Sequence, residues 1–177
     1  YDVNVTSSFP PLVDRIVAMG EKNPRIRIRQ ADVNRVREEA ETIFAILNDA
    51  WSGNWGFVPI TEAEIAYISK KVRPLIKPDL LRIAELDGEP VAFMLTFPDF
   101  NNRIKPFGGH LFPLNILKLL WWLRHPVGPR MRVPLMGVVK RLQGSRMASQ
   151  LAFMMIEYIR RSAVANYQAQ TGEIGWI

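Results

Sequence analysis

Residues 132–161 read RVPLMGVVKRLQGSRMASQLAFMMIEYIRR, and the reading of this stretch organises the rest of the chain. Val133–Val138 is a short apolar run with β-branched residues and one glycine, which predicts a buried strand. Val139–Ser145 is polar and basic and contains Gly144. From Arg146 to Arg161 the residues Met147, Ala148, Leu151, Ala152, Met154, Met155, Tyr158 and Ile159 recur at the helical period. A strand entering a helix through a glycine-bearing loop presents the first helical N–H groups, which have no partner within the helix. The positive end of the helix dipole lies at the same point, so anions are attracted there. Lys140, Arg141 and Arg146 add charge around it. The same unit also serves as a plain packing motif. Neither the nucleotide loop GxxxxGK[ST] nor the dinucleotide turn GxGxxG is present. On pattern alone, anion binding and packing both stay open.

Upstream, Leu80–Leu86 and Val91–Phe97 read as two strands joined at Asp87-Gly88, a hairpin turn. Before them Thr61 and Glu64 form a capping box that opens a helix, which Pro74 stops. An earlier helix, with Asp32 as its expected N-cap, carries Val36, Ala40, Ile43, Phe44 and Leu47 on one face. Glu38, Glu39 and Glu41 lie opposite, and the helix leads into a glycine-punctuated aromatic loop, Trp51–Phe57. Arg25–Gln30 (RIRIRQ) alternates strictly and predicts a half-exposed strand near an edge. Its arginines suit either edge protection or a nucleic-acid stripe.

Residues 1–24 show no clear period and read as a connector from an upstream segment, with a short helix possible over Leu12–Met19. Phe112–Arg124 is the most hydrophobic segment, too short for the roughly 20 residues that span a bilayer. A core-packing helix is expected there; a lid, a homodimer contact and an interfacial helix are the alternatives. Thr171–Ile177 reads as a last strand with Glu173, Ile174 and Trp176 in alternation.

The chain has 177 residues, enough for one domain with a sizeable core. It has no cysteine, which excludes disulfides, thiol nucleophiles and thiolate metal sites, and suits a cytoplasmic location. With only His110 and His125, a multi-histidine metal site is excluded, and no metal is expected. Charge divides unevenly. Residues 1–100 carry 12 Lys and Arg against 15 Asp and Glu, whereas residues 101–177 carry 11 against 2. The basic half holds the strand-loop-helix unit and would draw a polyanionic cofactor, nucleic acid or an anionic membrane alike.

The 132–161 stretch resembles the acyl-CoA-binding motif of the GNAT superfamily of N-acyltransferases. There a strand ends in a Gly-Val step and a loop [QR]xxGx[GA] opens the central helix. Gly137-Val138 and Gln143-Gly144-Ser145-Arg146-Met147-Ala148 overlay these, with Arg146 standing where the family has a glycine. Asn54–Pro59, Pro98–Asn101 and Leu111–Pro113 are similar to pieces of a little-characterised GNAT-like group. The resemblance implies an α/β (α+β) fold with a mixed, mostly antiparallel sheet flanked by helices over 25–177, its C-terminal layer missing. It would leave a bare edge beside Ile174 and Trp176.

The resemblance also implies an acetyl-CoA-dependent N-acetyltransferase acting on a small-molecule or peptide amine. The pantetheine arm would pair with the strand edge at Met136, Gly137 and Val138, and the pyrophosphate would rest on the amides of Gln143, Gly144, Ser145, Arg146, Met147 and Ala148. A backbone N–H near Val138 would face the oxyanion. Glu173 and Asp99 are the candidate bases, and for each the reading as a solvated surface carboxylate stands beside that role. Asn54, Asn101 and His110 are candidate acceptor-site groups. No residue is assigned as general acid, and neither Tyr158 nor Tyr167 fits that role by motif. Two other readings remain: an inactive GNAT-like CoA-binding or regulatory module, and a basic nucleic-acid or membrane-surface protein.

Overall fold

Six strands form one sheet: β1 (Asp2–Asn4), β2 (Ile26–Gln30), β3 (Leu81–Leu86), β4 (Glu89–Pro98), β5 (Arg130–Val138) and β6 (Thr171–Ile174), in the spatial order β1-β6-β5-β4-β3-β2. The structure is a computed structural model and describes residues 2–174. All neighbours are antiparallel except β5 and β6, which run parallel. That pair needs a crossover, supplied by the helix α6 (Arg146–Tyr167). Helix α1 (Pro11–Glu21) lies along α6 on one face of the sheet, and α2 (Val36–Trp51) and α3 (Glu62–Val72) cover the other.

Strand alternation divides the core between the two faces. On β3 and β4, Ala84, Ala92 and Met94 pack with Leu151, Met155 and Ile159 of α6. Ile83 and Phe93, next to them in the chain, pack with Phe44, Leu47 and Ile65 of α2 and α3. The local signals hold. Asp87 and Gly88 both take left-handed φ values, 54° and 86°, which suits a two-residue hairpin whose twist matches its strands. At α3 the Thr61 N–H donates to Glu64 Oε2 at 2.9 Å, and the Glu64 N–H returns to Thr61 Oγ1 at 3.4 Å. Asp32 does not cap α2, which begins at Val36. Its carboxylate instead accepts the Asn34 N–H at 2.8 Å, closing a tight turn first.

Within the segment read as a connector, Asp2–Asn4 form β1 and Pro11–Glu21 form α1. β1 pairs with β6 from Asp2↔Glu173 to Asn4↔Thr171, so the outer edge of β6 is paired up to the residue before Ile174. The Trp176 part of the bare-edge expectation lies outside the described residues. Gly20 lets α1 approach α6, because a Cβ there would overlap Met154 Sδ. Arg160 ties the same segment down by donating to the Val5 carbonyl at 2.9 Å. A strand of three residues carries almost no periodic signal, and its partner lies at the opposite end of the chain.

Helix α5 (Leu114–Arg124) also departs from expectation. Only Trp122 is buried, whereas Leu114, Leu117, Leu120 and Trp121 stand exposed, so this is not a core helix. Just ahead of β2, Arg25 meets Asp87 at 2.9 Å, and on β2 Arg29 meets Glu39 at 2.7 Å and also Glu85. Arg27 approaches Glu85 at 3.7 Å. The arginine stripe therefore faces carboxylates of its own chain.

Candidate functional site

Among the described residues, β5 pairs with β6 over its first half. Their register runs from Arg130↔Thr171 to Val133↔Ile174, while β5 continues to Val138 along β4. The Val139 N–H donates to the Val91 carbonyl at 2.8 Å. Antiparallel alternation then turns the N–H and C=O groups of Met136 and Val138 away from β4. Two side chains reach that edge: Trp51 Nε1 donates to the Met136 carbonyl at 3.4 Å, and Gln143 Nε2 to the Val138 carbonyl at 3.0 Å. Gly137, between them, faces inward. A Cβ there would come within 3.0 Å of the Phe93 ring, so close packing requires the glycine.

The following loop is held at both ends. The Lys140 N–H donates to Asp49 Oδ2 at 2.6 Å, and Gln143 Nε2 also donates to the Ala50 carbonyl at 3.0 Å. Gly144 turns the chain at φ 74° with open space where a Cβ would stand. Of the six amides expected to face phosphate, three are spent internally. The Gln143 N–H goes to Lys140 O at 3.2 Å, the Ser145 N–H to Leu142 O at 3.1 Å, and the Ala148 N–H to the Ser145 hydroxyl at 3.1 Å. Ser145 is thus the N-cap of α6. Among the described residues the N–H groups of Gly144, Arg146 and Met147 have no partner. Arg146 is exposed and makes no ion pair among the described residues; Arg141 is held by Glu89 at 3.2 Å.

Beside the β5–β6 pair lies a cavity of about 560 Å³ lined by Trp51, Phe97, Asp99, Phe100, Asn101, Arg132 and Glu173, among others. Three candidates from sequence, Glu173, Asp99 and Asn101, therefore meet in one place. Asn54 sits in the exposed turn after α2, and neither it nor His110 lines the cavity. Glu173 is clamped, with Oε2 3.1 Å from Arg130 and Oε1 3.0 Å from Arg132. Asp99 caps the short helix α4 (Phe100–Ile104) by accepting the Asn101 N–H at 3.0 Å through Oδ1. Its Oδ2 has Arg130 Nε at 3.9 Å, so it is the least engaged carboxylate oxygen in the cavity. Sequence reading missed Trp51, Phe97, Arg130 and Arg132 as site residues. The alternation of Arg130 and Arg132 ahead of the apolar run was the available signal.

The strongly shifted groups sit on α6, outside this cavity. Burial pushes the Tyr167 phenol well above its ordinary range, and its hydrogen bond to Asp79 at 2.6 Å adds to that. Burial also raises Tyr158, with Glu21 acting in the same direction. Both are structural phenols. No group of three or more His, Cys, Asp or Glu residues is placed to hold a metal among the described residues. No helix among them is long and apolar enough to cross a membrane.

The fold is GNAT-like, a six-stranded mixed sheet flanked by helices. The crystal structure of a GCN5-related N-acetyltransferase from Sphaerobacter thermophilus matches it with a TM-score of 0.56 at 13% identity, covering 98% of this chain and 40% of that one. By sequence the chain is 36% identical over 178 residues to the bacterial ceramide synthase of Caulobacter vibrioides, covering 100% of this chain and 46% of that protein. It is 35% identical over 170 residues to the protein YghO of Escherichia coli, covering 96% of this chain and 43% of that one. The chain thus spans less than half the length of the curated relatives it matches. No family model matches it.

Proposed function

We propose that this chain carries the acyl-CoA site of an N-acyltransferase. The observation that carries the reading is the β5 edge at Met136 and Val138, whose backbone polar groups turn away from β4, in the same strand-loop-helix unit as the unpartnered Gly144, Arg146 and Met147 amides. A pantetheine arm pairs with such an edge as an added strand does, and a pyrophosphate suits amides at a helix start. The amine nitrogen attacks the thioester carbonyl, the C–S bond breaks, and CoA leaves as thiolate. Holding the two reactants in line supplies much of the acceleration. The amine's proton passes to a base, for which Asp99 Oδ2 is the least committed candidate. Glu173, fixed by two arginines, shapes the cavity instead.

Acetyl is the smallest acyl group this reading admits, and a long-chain amine is the favoured acceptor. The ceramide synthase relative supports that acceptor class, since a ceramide is an N-acylated long-chain amine. So does the exposed apolar face of α5, whose Trp122 stacks edge-on against Phe100 of the cavity at 5.5 Å. Thermal unfolding with added acetyl-CoA and palmitoyl-CoA tests the cofactor. Ligand at 100 times its dissociation constant adds about 2.7 kcal/mol of stability. A melting temperature unmoved by either ligand overturns the reading. Thiol release with a long-chain amino alcohol present then tests turnover.

A further inference from the structure

A second cavity, of about 240 Å³, lies between the sheet and the helices α2 and α3. Its walls are apolar side chains from both layers, among them Ala40 and Ile43 of α2, Ile68 and Val72 of α3, and Leu95 and Leu135 of the sheet. It crosses the strands rather than following them. Ala31 lies just past β2, Leu81 is on β3, Leu95 on β4 and Leu135 on β5, so the slot spans three strand spacings, about 14 Å.

Two residues, Phe97 and Pro134, line both this slot and the polar cavity that holds Asp99 and Glu173. The two spaces therefore adjoin at β4 and β5, on either side of these two residues. At the other end Glu39 closes the slot. Its Oε1 accepts from Arg29 at 2.7 Å and from the Asp32 N–H at 3.3 Å, so an ion pair ends the apolar wall. Its Oε2 is buried with no hydrogen-bond partner among the described residues.

The slot opens to solvent beside exposed Val33 and Arg73, and its apolar lining atoms lack the dispersion partners that a closed core would give them. An apolar cavity of roughly 150 Å³ already takes up benzene. We infer that the slot binds the alkyl chain of a long-chain substrate, whose reacting head stays in the polar cavity. The inference rests on the acyl-transfer reading for what the head does, but not for the chain itself. The alkyl chain belongs either to the acyl-CoA or to the acceptor amine. In both cases Glu39 limits its length, since a methyl group pushed further would displace the Arg29–Glu39 pair.

Calorimetry with two ligand series below their micelle concentrations tests this: CoA thioesters from acetyl to palmitoyl, and 1-alkylamines of matching length. Affinity in one series should rise by up to about fourfold per methylene and then level off at the chain length that reaches Glu39. The series that rises names the source of the chain. Ala40→Phe fills the middle of the slot and should move the levelling point to shorter chains, with affinity for CoA itself unchanged. Val36→Trp, near the Glu39 end, should trim only the longest chains, and it serves if Ala40→Phe does not fold. CoA binding with no dependence on chain length in either series overturns the slot and leaves the acyl-transfer reading standing. A chain-length dependence untouched by the filling substitutions also overturns it. Alkylamine binding that Ala40→Phe shortens, with no binding of any CoA thioester, keeps the slot and overturns acyl transfer.

Discussion

The two faces of the sheet are made by the same strands and are filled to different degrees. On the α6 face, Leu151 and Met155 are fully buried, and α1 is pressed close enough to need a glycine. On the α2–α3 face, Ile43, Ile68, Leu95 and Leu135 are only partly buried around a 240 Å³ slot. Both faces hold fully buried residues, Ile83 and Phe93 on the α2–α3 side among them, but only the α2–α3 side also carries an apolar slot. Alternation makes this division possible, because adjacent residues of one strand serve opposite layers.

Matched truncations measure the contrast most directly. Leu151→Ala should cost about 3–5 kcal/mol of unfolding free energy. Leu135→Ala should cost about 1–2 kcal/mol, since part of that side chain already faces a void. Equal losses in urea titrations would show that the slot is packed in solution.

Helix α6 belongs to the packed face along its length, while its first turn faces the proposed CoA site. Arg146, exposed and without an ion-pair partner among the described residues, is placed to clamp phosphate. Arg146→Ala should weaken acetyl-CoA binding by about 10- to 100-fold, more at low salt than at high. Tighter binding by Arg146→Gly would mean that the side chain obstructs the amides at the helix start.

A third expectation concerns pH. Burial pushes the Glu157 carboxyl up, but hydrogen bonds from Arg160 and Arg161 outweigh it and hold it below the ordinary glutamate range. A depressed folded-state value contributes stability that is fully present above the unfolded value, about 4.3, and is lost as pH falls through the folded one. The melting temperature should therefore fall on acidification below about pH 4.3, and Glu157→Gln should flatten that decline. The smallest effect is expected from Ser145→Ala, about 1 kcal/mol for the lost cap. It also frees the Ala148 amide, so stability should fall without a comparable loss of CoA affinity.

Much of the architecture was legible before folding was considered. The capping box at Thr61, the Asp87-Gly88 turn, and the strand-loop-helix from Val133 onward are set by interactions within a few residues, and each formed where its pattern placed it. Local chemistry also placed Gly144 at a turn, because few other residues accept its positive φ. Other features depended on partners distant in sequence. β1 became a strand only because β6 offers it an edge, and three residues could not announce that alone. Helix α5 has the composition of a core helix, yet burial depends on what stands opposite, and within this helix Trp122 alone is buried. Six amides followed the resemblance, and three kept it once Ser145 and the preceding turn had taken theirs. Asp99, Asn101 and Glu173 lie more than 70 residues apart at the extremes and share a cavity because β4, β5 and β6 are neighbours. The alkyl slot is the most tertiary feature of all: each wall residue reads as ordinary core, and the void exists only in how α2, α3 and the sheet fail to close.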